Sequence, residues 1–293
     1  MRTAEASIPM GRQRRVWRNR LFRLAMYFCM LVAFGTLTVL IVDTVITGWP
    51  ALSSQLLTGL PSTLPEEAGA RPAILATLYL GALVLLFCVP IGVLTAIYLE
   101  EYANRERWWN RAIEVNIQNL AAVPSVVYGI LGLAFIVRGP LDLGRVVLAG
   151  GITLALLVLP VVIIVSREAI RSVPPSIREG SLALGATQWQ TIWKQVLPGS
   201  IAGIATGIIL ALSRAIGETA PLLVIGAAVN PRFNPDGLFS SFTALPIQIF
   251  TWTQDKDREF VDLAAATILV MMVLLLLMNS VAIFLRNRYE QKW

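Results

Sequence analysis

Two opposite charges lie inside a long apolar stretch of this sequence. Arg214 and Glu218 interrupt the run from residue 201 to residue 229. A charge in the middle of a membrane-spanning helix costs roughly 2.5–3.5 kcal/mol, so both residues need a role. Four residues apart, they are predicted to share one helix face. Two roles are open: an ion pair that holds helices together, or a cation lining a path for an anion.

The chemistry of the second role depends on the guanidinium group. It never loses its charge, and its planar fork of donors fits the oxygens of an oxyanion. A carboxylate beside it tempers the attraction, and a transport site must also release its ion. Hydroxyl groups flank the pair. We therefore predict a substrate path lined by Ser213, Arg214, Glu218 and Thr219.

A second segment, residues 167–198, is too polar to cross a membrane and rich in helix boundary signals. Pro174 and Pro175 end the preceding helix. Ser176 with Glu179, and Thr187 with Gln190, each have the spacing of a capping box at a helix start. Gly185 between them suits a left-handed helix stop. The pattern predicts two short helices joined at Gly185.

The second short helix has one apolar face, formed by Trp189, Ile192, Trp193 and Val196, and Leu197-Pro198 is predicted to close it. Such a face is also typical of a helix that lies on lipid. The residues alone leave open whether this loop lies on the membrane or binds a protein.

The elements around these residues are predicted from composition. The chain is 56% hydrophobic and 14% charged, with a mean hydropathy of +0.69, whereas soluble domains carry about 25% charged residues. Six stretches are long enough to span a bilayer. They are Leu24–Ile46, Ile74–Leu99, Ile117–Val137, Val146–Ser166, Ile201–Val229 and Leu263–Leu285. We predict an all-α polytopic membrane protein with six transmembrane helices.

The distribution of basic residues predicts the orientation. Placing both termini in the cytoplasm puts most of the 24 Lys and Arg residues on the inner side, as the positive-inside rule requires. The segment 167–198 is then cytoplasmic. The apolar segment 230–260 faces outward, where it is either a partly buried or re-entrant stretch that helps to gate a path, or an interfacial helix.

The cytoplasmic segment resembles the coupling loop of ABC-importer permeases. Glu179, Ala183, Gly185 and Leu197-Pro198 match the pattern E-A-A, three residues, G, nine residues, I-x-L-P. Gly180-Ser181 and Gln195 depart from it. The resemblance implies a type I ABC-importer permease fold, in which Glu179, Ala183, Gly185 and Thr187 couple the chain to a separate cytoplasmic ATPase.

The stretch from Arg214 to Leu222 resembles the signature of the PstA-type permeases of phosphate-specific ABC importers. Gly92–Ala103, Ala122–Gly132 and Ala244–Phe250 resemble them as well, so the similarity covers about residues 70–290. It implies a phosphate path shared with a second permease, a dimeric ATPase subunit and an extracytoplasmic phosphate-binding protein, all at a bacterial inner membrane and in contact with its lipid. It implies no nucleic acid and no cofactor.

The expected organisation has no soluble domain. It comprises a basic cytoplasmic tail (1–23), a first helix with an outer loop (24–70), the permease core (71–286) with the coupling loop at 171–198, and a short cytoplasmic tail (287–293). No Gly-Lys pair of a phosphate-binding P-loop and no histidine occurs in the sequence, so we expect a transport subunit whose partner hydrolyses ATP. The alternatives are a secondary transporter or channel, a membrane enzyme, and an importer of sulfate or molybdate.

Overall fold

A computed structural model describes residues 10–104, 106–227 and 233–289, and these residues contain helices and no strand. Five of the described helices are long and apolar enough to cross a membrane, and six spans result if one bent helix pair counts as a single span. The predicted all-α membrane fold is confirmed.

The described helices comprise long spans and the short helices that connect them. In chain order they are α1 Met10–Ala51, α2 Ser54–Thr58, α3 Arg71–Ile97, α4 Trp108–Ala121, α5 Ser125–Leu131, α6 Val147–Arg171, α7 Pro175–Ala183, α8 Gln188–Thr191, α9 Leu197–Gly217, α10 Ala220–Ile225, α11 Leu245–Thr253 and α12 Arg258–Tyr289. Wider π-helical turns extend three of them, at Tyr98–Tyr102, Gly132–Val137 and Ile192–Val196. A 3-10 turn lies at Pro65–Glu67.

The centre of the fold is the packing of α6 against α3 and α9. Glycines on α9 let the helices approach closely: a Cβ at Gly203 would lie 2.6 Å from the Ala169 side chain, and one at Gly207 would lie 2.6 Å from Val165. Small residues allow membrane helices to pack backbone to backbone. The two glycines are four residues apart, so both lie on the face of α9 that meets α6.

The third predicted span is not one straight helix. Between α4 and α5 the chain bends by 107°, directly before and at Pro124. Proline lacks the N–H that would continue the helix, and it disfavours helical geometry at the residue before it. The predicted span Ile117–Val137 is therefore a bent pair of helices.

The fifth predicted span is broken as well. Helix α9 ends at Gly217, and Glu218 has extended backbone angles of φ −80° and ψ 119°. Pro221 cannot follow in a continuous helix, because its ring would clash with the carbonyl group of Gly217. The short α10 ends at Gly226, where φ is +86°. The predicted span 201–229 thus consists of two helices, α9 and α10, and its last two residues lie outside the described part.

The terminal helices are longer than predicted. Helix α1 already begins at Met10, inside the expected tail 1–23, and α12 continues through Tyr289, inside the expected tail 287–293. Residues 1–9 and 290–293 lie outside the described ranges. The two helices meet where Gly48 packs against the backbone of Ala265, so the first span joins the bundle mainly through the last.

The described part of the segment 230–260 is partly buried, as one of its two predicted forms required. Phe242, Leu245, Ile247 and Trp252 are almost wholly buried. The Leu245 amide donates a hydrogen bond to the Thr77 hydroxyl oxygen at 3.0 Å, which holds the start of α11 against α3. Phe239 and Phe250 remain exposed.

Candidate translocation and coupling sites

Arg214 and Glu218 form an ion pair at the break in the fifth span. Arg214 Nε lies 3.5 Å from Glu218 Oε1, and the two side chains are 42% and 21% exposed. Because Glu218 follows the last helical residue, the two residues do not share a helix face as predicted. The pair instead joins the last turn of α9 to the extended residue after it, at the negative end of the helix dipole.

Arg214 lies on a face of α9 that the other described residues leave uncovered. Leu210, one turn earlier, is 59% exposed, and Gly217 is exposed as well. A lipid-facing guanidinium inside a span would be costly, and such groups almost always face a protein interior or a water-filled cavity. The exposed side chain therefore calls for a partner helix or an aqueous path beside it.

The structure places the other two predicted path residues differently. The Ser213 hydroxyl donates to Asn279 Oδ1 on α12 at 3.0 Å, so it ties α9 to the last span. Thr219 directly precedes α10 and is half-buried. Arg214 and Glu218 are thus brought together at the helix break, with Thr219 next to them in the chain and Ser213 held by α12.

The first helix of the cytoplasmic loop begins earlier than predicted. Helix α7 starts at Pro175, and Pro174 takes the cap position without a side-chain cap among the described contacts. Ser176 is therefore already inside the helix, and its capping box with Glu179 was wrong. The left-handed stop is confirmed, because Gly185 has φ +85°. Ala183 ends α7, and Glu179 is exposed.

The second capping box is confirmed. The backbone N–H of Gln190 donates to Thr187 Oγ1 at 3.2 Å, and the backbone N–H of Thr187 donates to Gln190 Oε1 at 2.9 Å. The helix does not close at Leu197-Pro198, however. It passes through the π turn Ile192–Val196 directly into α9. The wider turn lies directly before Pro198, which has no N–H to donate to a regular helical turn.

The predicted apolar face of this second helix is only half covered. Ile192 and Val196 are buried, whereas Trp189 and Trp193 are exposed and pack edge to face with ring centroids 5.2 Å apart. The second loop helix continues through the π turn Ile192–Val196 into the fifth span, so it connects the loop to the helix that carries Arg214.

Sequence reasoning missed a cluster of ion pairs at the inner ends of α3, α6 and α7. Arg178 Nη2 lies 2.8 Å from Glu101 Oε1, and Arg171 Nε lies 3.1 Å from Glu100 Oε1. Arg167 reaches Glu114 at 3.0 Å and Glu100 at 3.5 Å. The sequence did contain a signal for this cluster, two adjacent acidic residues at the end of a span. Their arginine partners, however, are more than 60 residues away in sequence.

Among known proteins, the sequence profile of a family described as "Binding-protein-dependent transport system inner membrane component" matches residues 88–293. The chain belongs to this family. The phosphate transport system permease protein PstA of Yersinia pestis is 32% identical to this chain over 99% of this chain and 98% of its own length. The PstC permease of Haemophilus influenzae is 30% identical over 78% of this chain and 80% of its own.

The fold agrees with the family assignment. A permease chain in the crystal structure of a bacterial alginate ABC transporter, solved with a pentasaccharide-bound periplasmic protein, superposes with a TM-score of 0.61. The match covers 95% of this chain and 97% of that one at 17% identity. The binding-protein-dependent transport component described here is thus a multi-pass membrane protein with the type I ABC-importer permease fold.

Proposed function

We propose that this chain is the transmembrane permease subunit of an ATP-driven importer of inorganic phosphate. The observation that carries the proposal is Arg214, a permanent cation on an uncovered face of α9 at the break of a span. Discontinuous helices are a common way to build transporter binding sites near the bilayer midplane. The PstA name of the full-length relative from Yersinia pestis supports phosphate as the anion.

The face that carries Arg214 meets a second permease subunit across the path. An uncovered charge needs such a neighbour, and similarity to both PstA and PstC proteins fits a pair of related permeases. Arg214 attracts phosphate, Glu218 weakens its hold, and Thr219 lies beside them at the break. Ser213 contributes by fixing α9 to α12.

The cytoplasmic loop 171–198 docks on a dimeric ATPase that hydrolyses the ATP. Glu179, Ala183 and Gly185 present the exposed end of α7, and Thr187 fixes the start of α8. This assignment places both termini in the cytoplasm. It divides the chain into the tail 1–23, the first span and outer loop 24–70, the core 71–286 and the tail 287–293. The outer segments then meet an extracytoplasmic phosphate-binding protein.

The test is uptake of labelled phosphate by vesicles that contain the chain with its second permease, ATPase and binding protein. We expect Arg214→Ala to assemble and to lose uptake by about a hundredfold, the scale of an intramembrane charge. The control is Arg138→Ala, which removes an exposed arginine outside the fifth span and is expected to retain uptake.

Three results would contradict the proposal. Full uptake by Arg214→Ala leaves only an ion-pair role for this residue. Uptake without the ATPase subunit favours a secondary transporter or channel. Stronger competition by sulfate or molybdate than by phosphate assigns the path to another oxyanion.

A further inference from the structure

One arginine of the cytoplasmic loop joins three helices. Arg178, on α7, donates through Nε and Nη2 to Glu101 Oε1 at 3.1 and 2.8 Å. Its Nη1 donates to the Val173 carbonyl at 2.6 Å, and Nη2 also donates to the Ile170 carbonyl at 2.8 Å. Ile170 lies in the last turn of α6 and Val173 follows its end, so both carbonyls lie at the negative end of the helix dipole, where a cation is favoured.

Glu101 is held from both halves of the loop. Its carboxylate binds Arg178 of α7, while its backbone carbonyl accepts a hydrogen bond from Gln188 Nε2 of α8 at 2.6 Å. Glu101 itself lies in the π turn that ends α3. Any displacement of α7 or α8 relative to the bundle therefore acts on the inner end of α3.

Burial and position together distinguish this contact. The side chains of Arg178 and Glu101 are only 21% and 9% exposed, whereas Arg171 nearby is 46% exposed. The Arg167–Glu100 pair is more buried, at 11% and 5%, but it does not involve α7. Exposed pairs contribute little, but removing one partner of a buried pair leaves a charge without compensation. The guanidinium also satisfies two carbonyls at once, which a lysine cannot do with the same geometry.

We infer that the Arg178–Glu101 contact is the linkage that transmits movement of the coupling helix α7 to span α3, so that Arg178 is a positioning residue for transport. The inference rests on the proposed function, because it presumes an ATPase that moves α7. In this role Arg178 contacts neither the ATPase nor the anion. It transmits the movement of the docked loop to α3, the helix that packs against α6.

The experiment measures phosphate uptake and ATP hydrolysis in the same vesicles containing the complete transporter. We expect Arg178→Gln and Glu101→Gln each to lower the ratio of uptake to hydrolysis by about fivefold or more. The double variant should fall no further, because both changes break one linkage. Glu168→Gln, which changes a residue outside the loop 171–198 and removes an exposed ion pair on α6 but leaves α7 attached, should keep the wild-type ratio.

Two results would overturn the inference. One is a wild-type ratio in an assembled Arg178→Gln complex. The other is an equal loss of uptake and hydrolysis with loss of the ATPase subunit, which indicates a purely structural role. If Arg178→Gln does not assemble, Glu101→Gln decides, since it removes the carboxylate charge but leaves Arg178 its two carbonyl contacts. We expect a lowered ratio for this variant, and a wild-type ratio contradicts the linkage.

A distance measurement separates failure of this inference from failure of the proposed function. Spin labels at Leu184→Cys and Leu94→Cys, both exposed positions, report the separation of α7 and α3 in a background without Cys29 and Cys88. With the linkage intact, nucleotide should leave this distance unchanged, whereas in Arg178→Gln it should change. This result does not depend on the cargo, while absence of ATP-dependent uptake by the wild type contradicts only the proposed function.

Discussion

Oppositely charged residues meet in two regions of this molecule, and the two regions are built differently. In the membrane, Arg214 and Glu218 form one long contact of 3.5 Å with a 42% exposed guanidinium. At the end of the bundle that carries the loop 171–198, Arg178 is largely buried and contacts Glu101 at 2.8 Å together with two backbone carbonyls. The guanidinium of Arg214 therefore keeps N–H groups available for another acceptor, whereas those of Arg178 are occupied.

The difference indicates which charges are adjustable and which are fixed. A guanidinium whose donors are occupied by buried acceptors cannot exchange partners without a large desolvation penalty. A guanidinium that keeps one long contact can bind an incoming oxyanion at little cost and release it again. Position in the membrane made Arg214 conspicuous in the sequence, whereas only the structure reveals the use of Arg178.

The largest effect that tests this comparison is expected from Glu218→Gln. In this variant no carboxylate competes with the anion for Arg214. The binding free energy of the anion should therefore become more favourable by about 1–2 kcal/mol after solvent screening. The apparent KM for phosphate should fall about tenfold, and maximal uptake should fall with it because release slows. Uptake at varied phosphate concentration measures both values.

The control for this variant is Glu168→Gln. Glu168 forms a contact of the same length, 3.5 Å, with Arg171 three residues away, but the side chains are 66% and 46% exposed on the cytoplasmic side. Its removal should leave KM and maximal uptake unchanged. Equal effects of the two variants would show that the membrane pair has no special role.

The sequence was sufficient for features that depend on local chemistry. Membrane spans follow from apolar length, and the left-handed stop follows from glycine at position 185. The Thr187–Gln190 capping box needs only two side chains three residues apart, and it forms as predicted. The glycine face at Gly203 and Gly207 also follows from spacing, since every fourth residue lies on one helix face.

Features that depend on partners distant in sequence were not predictable in this way. The break at Glu218 requires knowing that Pro221 ends one helix and begins another rather than bending a single one. Ser176 has the spacing of a cap, but Pro174 and Pro175 start α7 before it. Arg178 and Glu101 are separated by 77 residues, and no periodicity links an arginine in a loop to the end of another span.

An intermediate effect is expected from Gly207→Ala, which tests whether helix packing fixes the membrane region. The new methyl group would lie 2.6 Å from Val165 Cγ1, so α9 must shift away from α6. We expect a loss of about 1 kcal/mol of stability relative to the control, measured by thermal unfolding in detergent. Gly35→Ala is the control because a Cβ there meets nothing within 4 Å, and both changes gain the same helix propensity. Equal melting temperatures would contradict close packing as the support for Arg214.

The smallest effect tests whether a helix cap or a buried ion pair stabilises the position of the loop 171–198. Thr187→Ala removes the hydroxyl that accepts the Gln190 amide, at a local cost of roughly 0.5 kcal/mol. Because the helix continues through Ile192–Val196 into α9, we expect only the first turn of α8 to open more often, with amide exchange about twofold faster there. Ser176→Ala is the matched control, since Ser176 lies inside α7 rather than at its cap, and its exchange should not change. If Thr187→Ala lowered the ratio of uptake to hydrolysis as much as Arg178→Gln, the fixed character of the region would depend on the cap of α8 and not on the buried arginine.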